Sequence, residues 1–208
     1  VVDKPAGMPS APDSSQELSV LEWAKSYIKV SRQKPGNVFV GLVHRLDRPV
    51  GGVMVFAKTS KAASRLSEQI RTGAFRKLYI GVTPHKPPSL TGELHHQLLK
   101  DRKHNRVALF AEHKRIDGAK LAVTRFRLKE SKNGLFILEL EPVTGRPHQL
   151  RAQCAAMGCP LLGDLKYGGE KDTDEILQPG AIGLMAWRLT FLHPVNLNTM
   201  EFERMRGY

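Results

Sequence analysis

Residues 38–58 read VFVGLVHRLDRPVGGVMVFAK. Val38–Val43 and Val53–Ala57 are short, valine-rich apolar runs, the pattern of buried strands, and they bracket HRLDRPVGG, a Gly/Pro-containing turn. A His, an Arg and an Asp are thus held together between two buried strands. N-terminal to this, Ser14 and Glu17 have capping-box spacing and Leu18, Leu21, Lys25 and Ile28 follow at helical intervals, which predicts a helix over about 17–29. C-terminal to it, Thr59 can cap a helix carrying Ala62, Ala63, Leu66 and Ile70, with Gly73 suited to its end.

Further along, Leu78, Ile80 and Val82 alternate with Lys77 and Tyr79, so a strand here presents Tyr79 on the face opposite the aliphatic trio. From Thr83 to about Lys120 the periodicity weakens. Pro84, Pro87 and Pro88 open a loop, and KDRKHNR at 100–106 is a dense basic cluster, read as an arm that is either solvated or in contact with a phosphate-rich partner. Ala122–Leu128 and Leu135–Leu140 alternate as strands about an Asn133-Gly134 turn. In TGRPHQLRAQCAAMG, Pro147 fits a first helical turn and Gly158 a helix end, placing His148 and Arg151 on one face and Leu150, Cys154 and Met157 in the inner stripe. GLMAWRLTFLHP and TMEFERM (199–205) read as two last strands.

The chain has 208 residues, 41% of them hydrophobic and 25% charged, a globular composition that fits one domain over 1–208 with a basic arm at about 83–120. Its formal charge of +12 favours phosphate-rich partners, so nucleic acid is the first class to test. Cys154 and Cys159 match neither a CxxC pair nor a zinc-finger half and read as free thiols in a reducing compartment. No apolar run is long enough to span a bilayer and no signal peptide is visible. The expected location is therefore the cytoplasm or an organelle interior. The abrupt start is compatible with a missing N-terminal segment. No long heptad calls for an oligomer, so a monomer without an obligate protein partner is expected.

Val43–Lys58 and Pro142–Tyr167 together resemble the two signature blocks of the RluA family of RNA pseudouridine synthases. DKPAG at 3–7, RKLYIGV at 76–82, AVT at 122–124 and LTFLHP at 189–194 support the likeness in order and spacing. Three departures stand out: Val50-Gly51-Gly52 where the family has Thr-Ser-Gly, which suggests a more pliable loop, Pro147 in place of Ser or Thr, and Met185 in place of His. The resemblance implies an α+β fold, an extended, largely antiparallel sheet flanked by helices with a central active-site cleft.

It also implies a reaction, the isomerisation of uridine in structured rRNA or tRNA. The C1′–N1 bond breaks, the uracil turns over and is rejoined through C5; no group or electron is transferred, so no redox cofactor is needed. The family's essential aspartate falls on Asp47, as nucleophile or as base toward the ribose. Its arginine partner falls on Arg151, and its active-site tyrosine on Tyr79. Arg45 corresponds to the residue that helps hold the target nucleotide out of the helix, and Leu184 to the apolar lining of the uracil pocket. Lys77, Lys100, Arg102, Lys103 and Arg106, with Lys166, supply phosphate contacts that position without reading sequence. His44 and His148 are expected to hydrogen-bond loop backbone, with no metal site. Two rivals remain: a non-catalytic RNA-binding or RNA-folding protein on the same scaffold, and a hydrolase of N-glycosidic bonds recruiting Asp164, whose GDLKYG context reads instead as structural.

Overall fold

The computed structural model describes residues 1–204; Met205 of the expected last strand lies outside the described residues. The chain forms two compact units, one made of Val1–Lys77 with the segment from Ala186 on, the other of Leu78–Met185. Helices and antiparallel strand pairs make it α+β. No helix among the described residues is long and apolar enough to cross a membrane.

In the first unit, β1 (Val2–Lys4) pairs antiparallel with β3 (Gly51–Met54), and β10 (Leu184–Leu192), which enters this unit at Ala186, with β11 (Thr199–Glu203). A two-residue β2 (Gly41–Leu42) pairs with β4 (Phe56–Ala57). The expected strand over 38–43 thus shrinks to two residues, and the 53–57 run is broken at Val55. The break has a physical cause, because the Val55 N–H donates to His44 Nε2 at 3.1 Å.

Helix α2 (Ser60–Thr72) has the expected ends: Thr59 Oγ1 accepts from Ala62 N–H at 3.1 Å, and Gly73 sits at φ 80°. Its Leu66 joins Val53, Val55, Ala57, Phe75, Leu189 and Phe191 in the core of this unit. Helix α1 (Val20–Ser31) begins later than expected. Ser19 and Glu22 form the capping box, with Ser19 N–H donating to the Glu22 carboxylate at 2.9 Å. Ser14 cannot cap because Asp13 Oδ1 instead accepts from Ser15 N–H and turns the chain, and Gln16 is left-handed at φ 58°.

The second unit contains β5 (Arg76–Thr83), which enters it at Leu78, then β6 (Thr91–Asp101), β7 (Arg106–Ala111), β8 (Lys120–Lys132) and β9 (Leu135–Pro142), in the spatial order β5-β9-β8-β6-β7 with antiparallel pairing throughout. The β8–β9 hairpin turns at Asn133 (φ 52°) and Gly134 (φ 76°), both left-handed as a two-residue hairpin loop requires. Strands β6 and β7 occupy the stretch read above as an irregular arm. Their apolar signal is weak because of their side chains only Leu98 and Val107 are buried.

Helix α3 (Gln149–Ala156) packs against this sheet, and every residue from Gln149 to Cys154 is buried, so the expected one-sided stripe does not apply. Its buried amides are satisfied. Gln149 Nε2 donates to Val123 C=O at 3.0 Å, Thr124 Oγ1 donates to Gln153 Oε1 at 2.7 Å, and Gln153 Nε2 donates to Leu94 C=O at 2.9 Å. Pro147 lies ahead of the helix rather than in its first turn. His148 is its N-cap in the left-handed region at φ 49°, so it does not share a helical face with Arg151.

Candidate active site

The HRLD turn belongs to the first unit. Ser10 grips it from below, accepting from Leu46 N–H at 3.1 Å and donating to Leu46 C=O at 2.7 Å. Val50 N–H closes the turn on Asp47 C=O at 3.0 Å. Arg45 is exposed and Asp47 half-buried, flanking the buried Leu46.

Beneath the turn lies a residue the sequence reading passed over. Lys4 is 0% exposed, and its ammonium donates to the carbonyls of Pro5, Met8 and Arg48 at 3.0, 2.6 and 3.1 Å. Burial pulls its pKa down to about 8, opposed by the Asp47 carboxylate and reinforced by Arg48. Gly7 and Arg48 complete the cradle, Gly7 N–H donating to Arg48 C=O at 2.8 Å and Arg48 Nε to Gly7 C=O at 2.9 Å. The signal available was a lysine in a short strand leading into Pro-Ala-Gly. A lysine usually means surface, and nothing local marks this one as inward-facing.

The Val50-Gly51-Gly52 segment is not a pliable loop. Its two glycines open the fully buried β3, and Gly52, at φ 119°, would place a Cβ 2.1 Å from the Ala186 carbonyl oxygen, so only glycine fits.

His44 behaves as expected of a backbone-bonding histidine. Its Nε2 is the acceptor for Val55, and its ring tilts against Phe75 at 5.6 Å. The remaining nitrogen, Nδ1, is buried without a hydrogen-bond partner. Desolvation, then the charge of Lys77, push the imidazole down to about 3. An unfolded His takes up its proton near pH 6.5, so between about 6.5 and 3 the unfolded chain binds the extra proton and folding stability falls as pH falls, by up to about 1.4 kcal/mol per pH unit. His44→Gln, whose carbonyl can still accept from Val55, should flatten that slope in urea titrations between about pH 6 and 4. Equal slopes for the two proteins would overturn this account.

In the second unit, Tyr79 is buried on β5, in register with Leu140 of β9. Leu184 is buried at the start of β10. Lys77, two residues before Tyr79 on β5 and still within the first unit, is half-buried and its pKa is lowered by desolvation, a poor setting for a surface clamp.

Arg151 is 6% exposed and forms a bidentate pair with Asp164, itself 1% exposed: Nε to Oδ2 and Nη2 to Oδ1, both 2.7 Å. Asp164 is thus the structural partner its GDLKYG context suggested. Beside this pair, in a 3-10 turn at Leu165–Tyr167, stands Tyr167, whose ring centroid is 5.1 Å from Arg151 Cζ. His148 Nδ1 bonds the Tyr167 hydroxyl at 2.8 Å.

The basic cluster is the tip of the β6–β7 hairpin. Lys100, Arg102, Lys103 and Arg106 are exposed, and Asp101 shapes the turn by accepting from His104 N–H at 3.1 Å. Arg106 and Lys166 are tied into the fold, Arg106 donating to Lys166 C=O and Lys166 Nζ to Asn105 C=O at 3.2 Å. Cys154 and Cys159 are free and buried, and burial raises both thiols away from the reactive thiolate.

Comparison with known proteins shows the family. The family model described as RNA pseudouridylate synthase matches residues 1–156. Among curated proteins, the ribosomal large subunit pseudouridine synthase C of Rickettsia bellii is 34% identical over 171 residues, 82% of this chain and 54% of its own length. The protein of the same name in Haemophilus influenzae is 30% identical over 98% of this chain and 61% of its own length. The mitochondrial RNA pseudouridine synthase 4 of Arabidopsis thaliana is 33% identical over 81% of this chain and 38% of its own length. The chain therefore spans about half the length of the first curated relatives it matches. Of solved structures, human RNA pseudouridylate synthase domain containing 4 superposes with a TM-score of 0.77 at 24% identity, over 99% of this chain and 84% of that one, a likeness of fold. With the family model covering three quarters of its length, the chain belongs to the RNA pseudouridylate synthase family, in its RluA branch.

Proposed function

We propose that the chain isomerises uridine to pseudouridine within structured ribosomal or transfer RNA, with Asp47 as its essential carboxylate. The observation that carries the reading is Asp47 itself: a half-buried carboxylate on a turn held by Ser10 and by the buried Lys4, at the position where the family has its aspartate. Relatives named for the large ribosomal subunit make its RNA the first substrate to try. One relative being mitochondrial, the site of action is either the cytoplasm or an organelle.

In this reading Asp47 labilises the C1′–N1 bond. Tyr79 packs on the uracil and takes part in removing the C5 proton, and Arg151 stands where the family has the arginine partner of its aspartate. Leu184 lines the uracil pocket, which keeps the detached base from escaping. Arg45, exposed beside Asp47, fills the space of the extruded nucleotide, an extrusion that costs on the order of a few kcal/mol. Lys100, Arg102 and Lys103, on the exposed hairpin tip, meet phosphates; Arg106 does so while anchored to Lys166.

The test is release of C5 tritium from large-subunit rRNA and from tRNA labelled in uridine. Release with the uracil retained in RNA is the expected result. RNA binding without release would turn the reading to the non-catalytic rival, and free uracil would turn it to a glycoside hydrolase. Affinity for the RNA is expected to fall about a hundredfold or more between about 50 and 200 mM salt if roughly five phosphates are engaged. A flat salt response would remove the hairpin from the interface.

A further inference from the structure

The β6–β7 hairpin is clasped to the Leu165–Tyr167 turn, with the Tyr167 side chain at the centre of the clasp. The Tyr167 hydroxyl accepts from Val107 N–H, at the root of β7, at 3.0 Å. The same oxygen bonds His148 Nδ1 at 2.8 Å. Around it, Arg106 donates to Lys166 C=O and Lys166 Nζ to Asn105 C=O. The Tyr167 ring meets two guanidinium groups, Arg106 with Cζ at 5.5 Å from the centroid and Arg151 at 5.1 Å.

These contacts constrain Arg151 in a way Asp164 cannot. A bidentate pair fixes a guanidinium within its own plane but lets it hinge about the line joining the two carboxylate oxygens. An aromatic ring beneath the guanidinium carbon resists that hinge. His148 adds a second sign that the phenol is deliberately placed. A non-glycine residue in the left-handed region carries strain, and His148 at φ 49° makes no side-chain cap to offset it, its imidazole being directed to Tyr167 instead.

Resting on the role of Arg151 given above, we propose that Tyr167 is a positioning residue that couples the basic hairpin to Arg151, so that the grip on RNA and the set of the guanidinium depend on one phenol. The hydroxyl serves the hairpin and the ring serves the arginine, which makes the two halves separable by substitution.

Tyr167→Phe keeps the ring and deletes the acceptor of Val107 N–H; Tyr167→Leu deletes both. With the full chain and tritium-labelled rRNA, the Phe variant should raise the half-saturating RNA concentration about three- to tenfold, more than it lowers kcat, the effect of one lost hydrogen bond to a buried donor. The Leu variant should lower kcat about tenfold further. Amide exchange at Val107 should accelerate in both. A purely structural tyrosine would lower activity in proportion to the unfolded fraction seen by circular dichroism, with no split between Phe and Leu, and that result would overturn the proposal. Should the wild-type chain release no tritium, the isomerase reading fails separately, and the hairpin half is still decided by anisotropy with fluorescent rRNA fragments: weaker binding by the Phe variant supports it, unchanged binding refutes it.

Discussion

Asp47→Ala is expected to abolish C5 tritium release, by at least about 10⁴-fold, while leaving RNA bound. A reaction that relies on one carboxylate to labilise the glycosidic bond has no second group to take over, and removing the central group of a catalytic set commonly costs about that much. Asp47→Asn should be nearly as inactive, since it keeps the shape and loses the charge. Folding should survive both changes, because Ser10 and Lys4 hold the turn through the backbone of Leu46 and Arg48. Anisotropy with an rRNA fragment should give affinities within a few-fold of wild type. Release above about 1% of the wild-type rate by the Asn variant would mean that another group initiates the reaction.

Asp164→Ala should be the most damaging single change to stability, by about 3–5 kcal/mol, because it leaves the Arg151 guanidinium, only 6% exposed, without the carboxylate that takes two of its N–H donors. Urea unfolding of the second unit is the measurement. The paired substitution Asp164→Leu with Arg151→Met removes both charges at once and should regain much of that loss, since a buried ion pair contributes little beyond its own desolvation cost. Tritium release should not return with it. Recovered stability without recovered activity would assign Arg151 to the reaction; recovery of both would reduce the pair to scaffolding. A loss below about 1 kcal/mol on Asp164→Ala would mean that water or a neighbour readily replaces the carboxylate.

Much of this architecture is legible along the chain where the forces are local. Thr59 and Gly73 mark the ends of α2 because a cap and a left-handed glycine act on their own few residues. Asn133-Gly134 announces its hairpin because the turn needs two positive φ values. The same local logic went astray at Ser14–Glu17, whose spacing suits a capping box as well as Ser19–Glu22 does. The choice between them was made by the Asp13 turn ahead of the helix. Asp164 read as structural from its neighbours, but its partner is 13 residues away.

Motif spacing alone carries the family, and with it the reaction and the role proposed for Asp47, because those residues stand in order within short blocks. The strands β6 and β7, the inward Lys4, the all-round burial of α3 and the Tyr167 clasp are different in kind. Each depends on a polar group being satisfied by a distant one: Lys4 by the carbonyl of Arg48, Gln153 by Leu94, Tyr167 by Val107. A hydrogen bond across such a separation leaves no periodicity for a linear reading to find. Those features came into being only when folding withdrew the groups from water and each had to meet a partner.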